Sequence, residues 1–178
     1  MKVAITGHTS GIGKTLFDFL SISGYECKGF SRSNGYDISN PNLRSAIISL
    51  SNDCDIFINN AYKNFDNSQF LLLKERYNNW ISQEKIILNV SSRITDFPEP
   101  ESDTLRKYWE TKKEQDTFCQ GKISYPQIIN LKLGYVDTPR VKNITYAKKL
   151  KMEGVIKIMQ FILDTRKEFK ISTLTIGV

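Results

Sequence analysis

Three observations predict an α/β fold built on a doubly wound parallel sheet. Short apolar strand-like runs alternate with amphipathic stretches from one end of the chain to the other, the pattern of parallel strands joined by crossover helices. The first run, Val3–Ile5, leads straight into a glycine-rich turn, Thr6–Gly13, and then into a helix-like stretch. The length of 178 residues is enough for one domain with a sizeable core, so residues 1–178 are read as a single domain.

Strands are expected near 2–6, 25–30, 35–38, 54–59, 85–91, 126–133 and 171–177, and helices near 11–23, 40–51, 66–81, 103–120 and 147–164. Leu16, Phe17, Phe19 and Leu20 make the apolar stripe of the first helix, which Gly24 ends. Asn40-Pro41 gives the next helix a cap and a first-turn proline. Only Ser33–Tyr36 separates Arg32 from Asp37, too few residues for a helix, so one crossover helix is missing. The expected sheet is Rossmann-type, about seven strands in the order 3-2-1-4-5-6-7, with helices on both faces.

With 25 Lys and Arg against 19 Asp and Glu, the net charge is +6. The basic residues are spread along the chain rather than gathered in a stripe with aromatics, so no nucleic-acid partner is expected. No apolar run approaches a bilayer span. Met1-Lys2-Val3 runs directly into a strand, so no signal segment is expected and the default location is the cytoplasm. The cysteines Cys27, Cys54 and Cys119 are odd in number and lack a C-x-x-C pair, so they are read as reduced thiols, with no disulfide framework and no metal site.

In the turn Thr6, Gly7, His8, Thr9, Ser10, Gly11, Ile12, Gly13, glycine is needed for the tight bend, for close approach of backbone N–H groups to phosphates and for helix–strand packing. The helix N-terminus beyond it suits a dinucleotide pyrophosphate. A mononucleotide P-loop is the rival, since Gly13-Lys14-Thr15 looks like the end of one, but that pattern needs glycine where His8 stands. Lys14 is read as facing solvent, with a contribution to the phosphate field as the alternative.

Tyr108 and Lys112 form a Y-x-x-x-K, a spacing that sets phenol and ammonium on one helix face. Alone this spacing is common. Here it follows, in order, the glycine turn, Asn59-Asn60-Ala61 after one strand and Asn89-Val90-Ser91-Ser92 after another. With that order the chain resembles the short-chain dehydrogenase/reductase family from residue 1 to the last strand. The resemblance places T-G-x-x-x-G-I-G on Thr6, Gly7, Gly11, Ile12 and Gly13, and N-N-A-G on Asn59, Asn60 and Ala61, with Tyr62 replacing the last glycine. It makes Ser92, Tyr108 and Lys112 the catalytic serine, tyrosine and lysine. Leu133, Gly134, Val136 and Thr138 fall on its P-G-x-x-x-T, with Leu133 replacing proline. The family's catalytic asparagine is matched to Asn67, which reads equally as a helix cap.

The resemblance implies a nicotinamide cofactor and a small carbonyl or alcohol substrate. Tyr108 would be the general acid, its pKa lowered by Lys112 and by the oxidised nicotinamide. Ser92 would hold the substrate oxygen, and Lys112 would bind the nicotinamide ribose. The second strand ends Ser31-Arg32-Ser33 with no carboxylate at its tip, which favours NADP(H), with NAD(H) as the alternative. Asp37-Ile38 matches the family pair that meets the adenine. The brief region after Thr138 and the end of the sequence at Val178 imply an open, shallow substrate site, and the family's habit implies a homodimer through the helices at 66–81 and 103–120. Two other functions are carried: a cofactor-binding sensor or scaffold without turnover, and a P-loop NTPase.

Overall fold

The computed structural model describes residues 1–178. The element order is β1 (Lys2–Thr6), α1 (Gly11–Ile22), β2 (Glu26–Phe30), α2 (Pro41–Leu50), β3 (Ile56–Asn59), α3 (Ser68–Asn79), β4 (Ile86–Ser92), α4 (Asp103–Cys119), β5 (Gln127–Leu133), α5 (Met152–Thr165) and β6 (Thr173–Ile176), with single 3-10 turns at Arg32–Asn34, Arg93–Asp96 and Pro139–Val141. All strand pairs are parallel, in the order β2-β1-β3-β4-β5-β6.

The sheet thus has six strands, not seven, and the strand expected at 35–38 does not form. After Phe30 the chain enters a 3-10 turn in which the Ser31 N–H donates to Asn34 Oδ1 and Gly35 takes a left-handed φ of 91°. Asp37 then accepts from Ser39, and Asn40 caps α2. A parallel neighbour needs a crossover of a dozen or more residues. The same brevity that removes a crossover helix therefore removes the strand it would have fed.

Both faces of the sheet are covered, which is why its central strands are largely apolar, β3 being buried at every position. On one side Leu16 and Leu20 of α1 and Val155, Met159 and Ile162 of α5 pack over Val3, Ile5, Ile58 and Leu88. On the other, Ile47 of α2, Leu72 and Leu73 of α3, Trp80 and Cys119 pack over Ala4, Phe57, Ile87 and Ile128. No helix is long and apolar enough to cross a membrane. Cys54 and Cys119 are buried free thiols and Cys27 is half-buried and free.

Candidate active site

At the C-terminal end of β1 the glycine turn is held by a fully buried threonine. The N–H groups of Asn60 and Ala61 both donate to Thr6 Oγ1 at 3.0 Å, and Asn60 Nδ2 donates to Thr6 O at 3.0 Å. Thr6 therefore stitches the turn to the Asn60-Ala61 segment, and its side chain is spent in doing so. Gly7 has φ 71°, and a Cβ on Gly13 would collide with the Gly7 carbonyl and the Asn60 amide. The first N–H groups of α1 face this cradle, with Ser10 at the N-cap making no side-chain cap bond. Thr9 and Ser10 are exposed and Ile12 is half-buried at the same helix start. Across the turn, the Thr138 methyl would touch a Cβ on Gly11 at 3.4 Å. A backbone cradle open only to glycine, beside unpaired helix N–H groups, fits a pyrophosphate.

The His8 imidazole turns away from that cradle. It packs on Phe17 at 5.0 Å and over Gly29 of β2, where a Cβ would overlap the ring, and Nδ1 is buried without a partner. Lys14 pairs with Asp18 at 2.5 Å, as a solvent-facing residue does. At the tip of β2, Ser31 Oγ and Ser33 Oγ are bonded to each other at 2.8 Å, while Arg32 is exposed and forms no salt bridge. The Asp37 carboxyl is held below its usual pKa by hydrogen bonds from Ser39, whose hydroxyl also accepts from Lys63 at 3.0 Å. Ile38 is buried beneath.

The serine, tyrosine and lysine meet at the same edge of the sheet. Ser91 and Ser92 point oppositely, as successive strand residues must: Ser91 Oγ donates inward to Asp116 Oδ1 at 2.6 Å, and the Ser92 side chain lies against the Tyr108 phenol. Lys112, one turn along α4, is buried and donates to Gln69 Oε1 at 2.7 Å and to Val90 O at 3.1 Å. Its Nζ is 5.8 Å from the Tyr108 ring centroid. Burial pulls the ammonium down to about 7. Tyr108 departs from expectation: burial raises the phenol, with Ser92 and then the charge of Arg140 lowering it in part. Lys112 makes no such contribution, because the desolvation that buries it also favours its neutral form.

Polar residues behind these groups fix them. Asn59, Asn89 and Asn130 are register partners on β3, β4 and β5, and their amides form a ladder across the sheet at 3.0 and 2.9 Å. Asn130 Nδ2 donates to Asp116 Oδ1 at 2.8 Å, and Thr95 Oγ1 donates to Asp116 Oδ2 at 2.5 Å. Asp116 thus clamps the turn that carries Ser92. It stands four residues past Lys112, so Tyr108, Lys112 and Asp116 share a helix face, a repeat readable in the sequence but missed. Gln69 was missed as well, and no local pattern marks it, since its partner is 43 residues away.

Asn67 is exposed at the N-cap of α3 and its side chain makes no cap bond. The Ser68 N–H donates to Asp66 instead. Leu133 and Val136 are buried, and the Gly134 N–H donates to Ile176 O at 2.8 Å. Where the family pattern has glycine, the Tyr62 ring stands edge-on to Tyr108 at 5.2 Å and 5.0 Å from Lys112 Nζ. The Arg140 guanidinium stacks over that ring at 4.9 Å and donates to Asn64 Oδ1.

A parallel sheet in the order 2-1-3-4-5-6, with a glycine turn after its first strand, defines a Rossmann-type fold, and solved structures specify it further. The chain superposes on a 3-alpha-hydroxysteroid dehydrogenase from Pseudomonas sp. B-0831 complexed with NADH (TM-score 0.81, 15% identity, 98% of this chain and 94% of that one). It superposes also on a short chain dehydrogenase from Burkholderia cenocepacia J2315 in complex with NADP (TM-score 0.77, 16% identity, 99% and 88%). A third is the 3-ketoacyl-(acyl-carrier-protein) reductase from Brucella melitensis complexed with NADH (TM-score 0.78, 18% identity, 98% and 95%). The chain shares their fold over nearly its whole length. No protein-family model and no curated protein matches the sequence.

Proposed function

We propose that this chain is a short-chain dehydrogenase/reductase that uses NADP(H) to interconvert a small carbonyl compound and its alcohol. The observation that carries the reading is the convergence of the Ser92 hydroxyl, the Tyr108 phenol and the Lys112 amine beside a glycine cradle at one sheet edge. The glycine turn and the N-terminus of α1 would hold the pyrophosphate of a nicotinamide dinucleotide, which would supply or accept the hydride. In reduction, Tyr108 gives its phenolic proton to the carbonyl oxygen, and Ser92 donates a hydrogen bond to that oxygen as negative charge builds on it. Lys112, titrating near neutrality, returns a proton to the phenolate. Gln69 holds the lysine amine within reach of this exchange. The structural neighbours complexed with NADH or NADP support a nicotinamide dinucleotide as the cofactor.

Replacing Tyr108 with Phe is expected to lower turnover by about 10²–10⁴-fold with NADPH affinity retained. Unchanged turnover would reject the reading. The exposed Arg32 supports NADP(H): Arg32→Ala should weaken NADPH binding about tenfold and leave NADH untouched, as loss of a charge-assisted phosphate contact requires. The proposed setting is the cytoplasm, where free thiols persist, as a homodimer through α3 and α4. Asn67 remains our proposed fourth polar residue at the site mouth. A second reading, a dinucleotide-binding sensor without turnover, is favoured by Tyr62 packed against both Tyr108 and Lys112. It predicts NADPH binding with no oxidation over a broad carbonyl panel.

A further inference from the structure

We infer that the site takes a substrate carrying a carboxylate, and that Arg140 is the residue that recognises it. The inference rests on the oxidoreductase reading and adds a substrate class to it. Arg140 lies on the segment that leaves β5 at Gly134 and is pinned at its base, where Val136 bridges Leu150, the Leu150 N–H donates to Tyr135 O at 2.7 Å and the Asp137 N–H donates to Leu150 O at 2.9 Å. The base being fixed, the short loop carries Arg140 to the reacting groups. Its guanidinium rests on the Tyr62 ring, which itself contacts Tyr108 and Lys112, and its charge reaches the phenol and the amine.

Neutral groups alone hold this arginine. One N–H donates to Asn64 Oδ1, the ring supplies the stacking surface, and no carboxylate lies within salt-bridge distance. Arg93, the other arginine near the serine, differs: it faces Asp96 at 3.7 Å and lies over Phe97. Of the acids around the mouth, Asp66 is taken by the first turn of α3 and Asp116 by Ser91, Thr95 and Asn130 behind the site. A guanidinium offers five donors in a planar fork matched to a carboxylate, and most of those on Arg140 are free. Tyr135 and Tyr146 add a pair of phenols, bonded to each other at 3.2 Å on the same loop, with Tyr135 within charge range of Tyr108. An exposed guanidinium with no acidic partner, stacked on the ring that meets the phenol of the proposed site, is an anion site for a short oxo acid rather than a neutral ketone. Reduction would then convert an oxo acid, NADPH and a proton into the hydroxy acid and NADP⁺.

The test pairs short 2-, 3- and 4-oxo acids with their methyl esters as substrates, and oxamate with neutral oxamide as ligands of the NADP⁺ complex by calorimetry. The expected result is an acid preference of about tenfold or more in kcat/KM, and oxamate binding without oxamide binding. Both preferences should collapse in Arg140→Gln while the Kd for NADPH stays where it was. Equal use of acid and ester, or oxamate binding that survives in Arg140→Gln, overturns the inference. A raised NADPH Kd in that variant, with acid and ester weakened alike, also overturns it by assigning Arg140 to a cofactor phosphate. If oxamate binding follows Arg140 but no carbonyl compound is reduced, the anion site stands and the oxidoreductase reading falls.

Discussion

Burial governs the protonation of Lys112 more than any neighbouring charge does. Its amine sits among Gln69, Val90 and two aromatic rings, and the pKa falls to about 7 because desolvation outweighs the attraction of Asp116. The folded value lies below the unfolded one of about 10.4, so between these limits the unfolded chain binds more protons and stability rises with pH. Below pH 7 both states are charged and the folded protein carries the whole desolvation cost. Lys112→Met should remove this slope. Urea titrations at about pH 7, 8, 9 and 10 are expected to show wild type gaining on the variant with each step. A flat difference would place the lysine in water. The three residue types of the proposed site were legible in the sequence because the glycine turn, serine strand and Y-x-x-x-K helix come in order along the chain. Gln69, Tyr62 and Arg140 were not, since each gains its meaning only from contacts across the fold.

Among the elements, α3 is fastened to α2 by a buried arginine. Arg76 is sandwiched at 4.9 Å from the Phe57 ring and 4.4 Å from the Trp80 ring, and it donates to Ile48 O at 2.7 Å and Ser51 Oγ at 2.5 Å at the end of α2. It caps carbonyls that the helix leaves unpaired, and burial lowers its pKa to about 10. Truncation to Ala opens a cavity and strands those acceptors, at a cost of about 3–5 kcal/mol, readable as a fall in the urea midpoint at unchanged m-value. A cost under about 1 kcal/mol would mean that α2 docks without it. Sequence periodicity located every observed helix within a few residues except the start of α5. That helix begins at Met152 rather than 147 because Leu150 is drawn into the bridge with Val136, a pairing no local pattern announces. The false strand at 35–38 has the same origin: Tyr36 and Ile38 look strand-like, but tertiary connection length decides.

For the molecule as a whole, the asparagine ladder sets the register of β3, β4 and β5, since a slip of one residue would turn all three amides to the wrong face. Of the two edge strands, β2 carries Lys28 and Glu26, which guard it with charge, Lys28 pairing with Asp53 at 2.6 Å. That edge has a consequence for how a dinucleotide would come and go. With no strand beyond β2, the adenosine half would overhang the rim of the sheet, wet on one side and tethered chiefly by the Arg32 charge. Raising salt from about 20 to about 300 mM shortens the screening length from about 20 Å to about 6 Å, so stopped-flow measurements should find NADPH leaving several-fold faster across that range. A protein that lets go so readily would refresh its coenzyme at every cycle and so follow the cell's reductant supply closely.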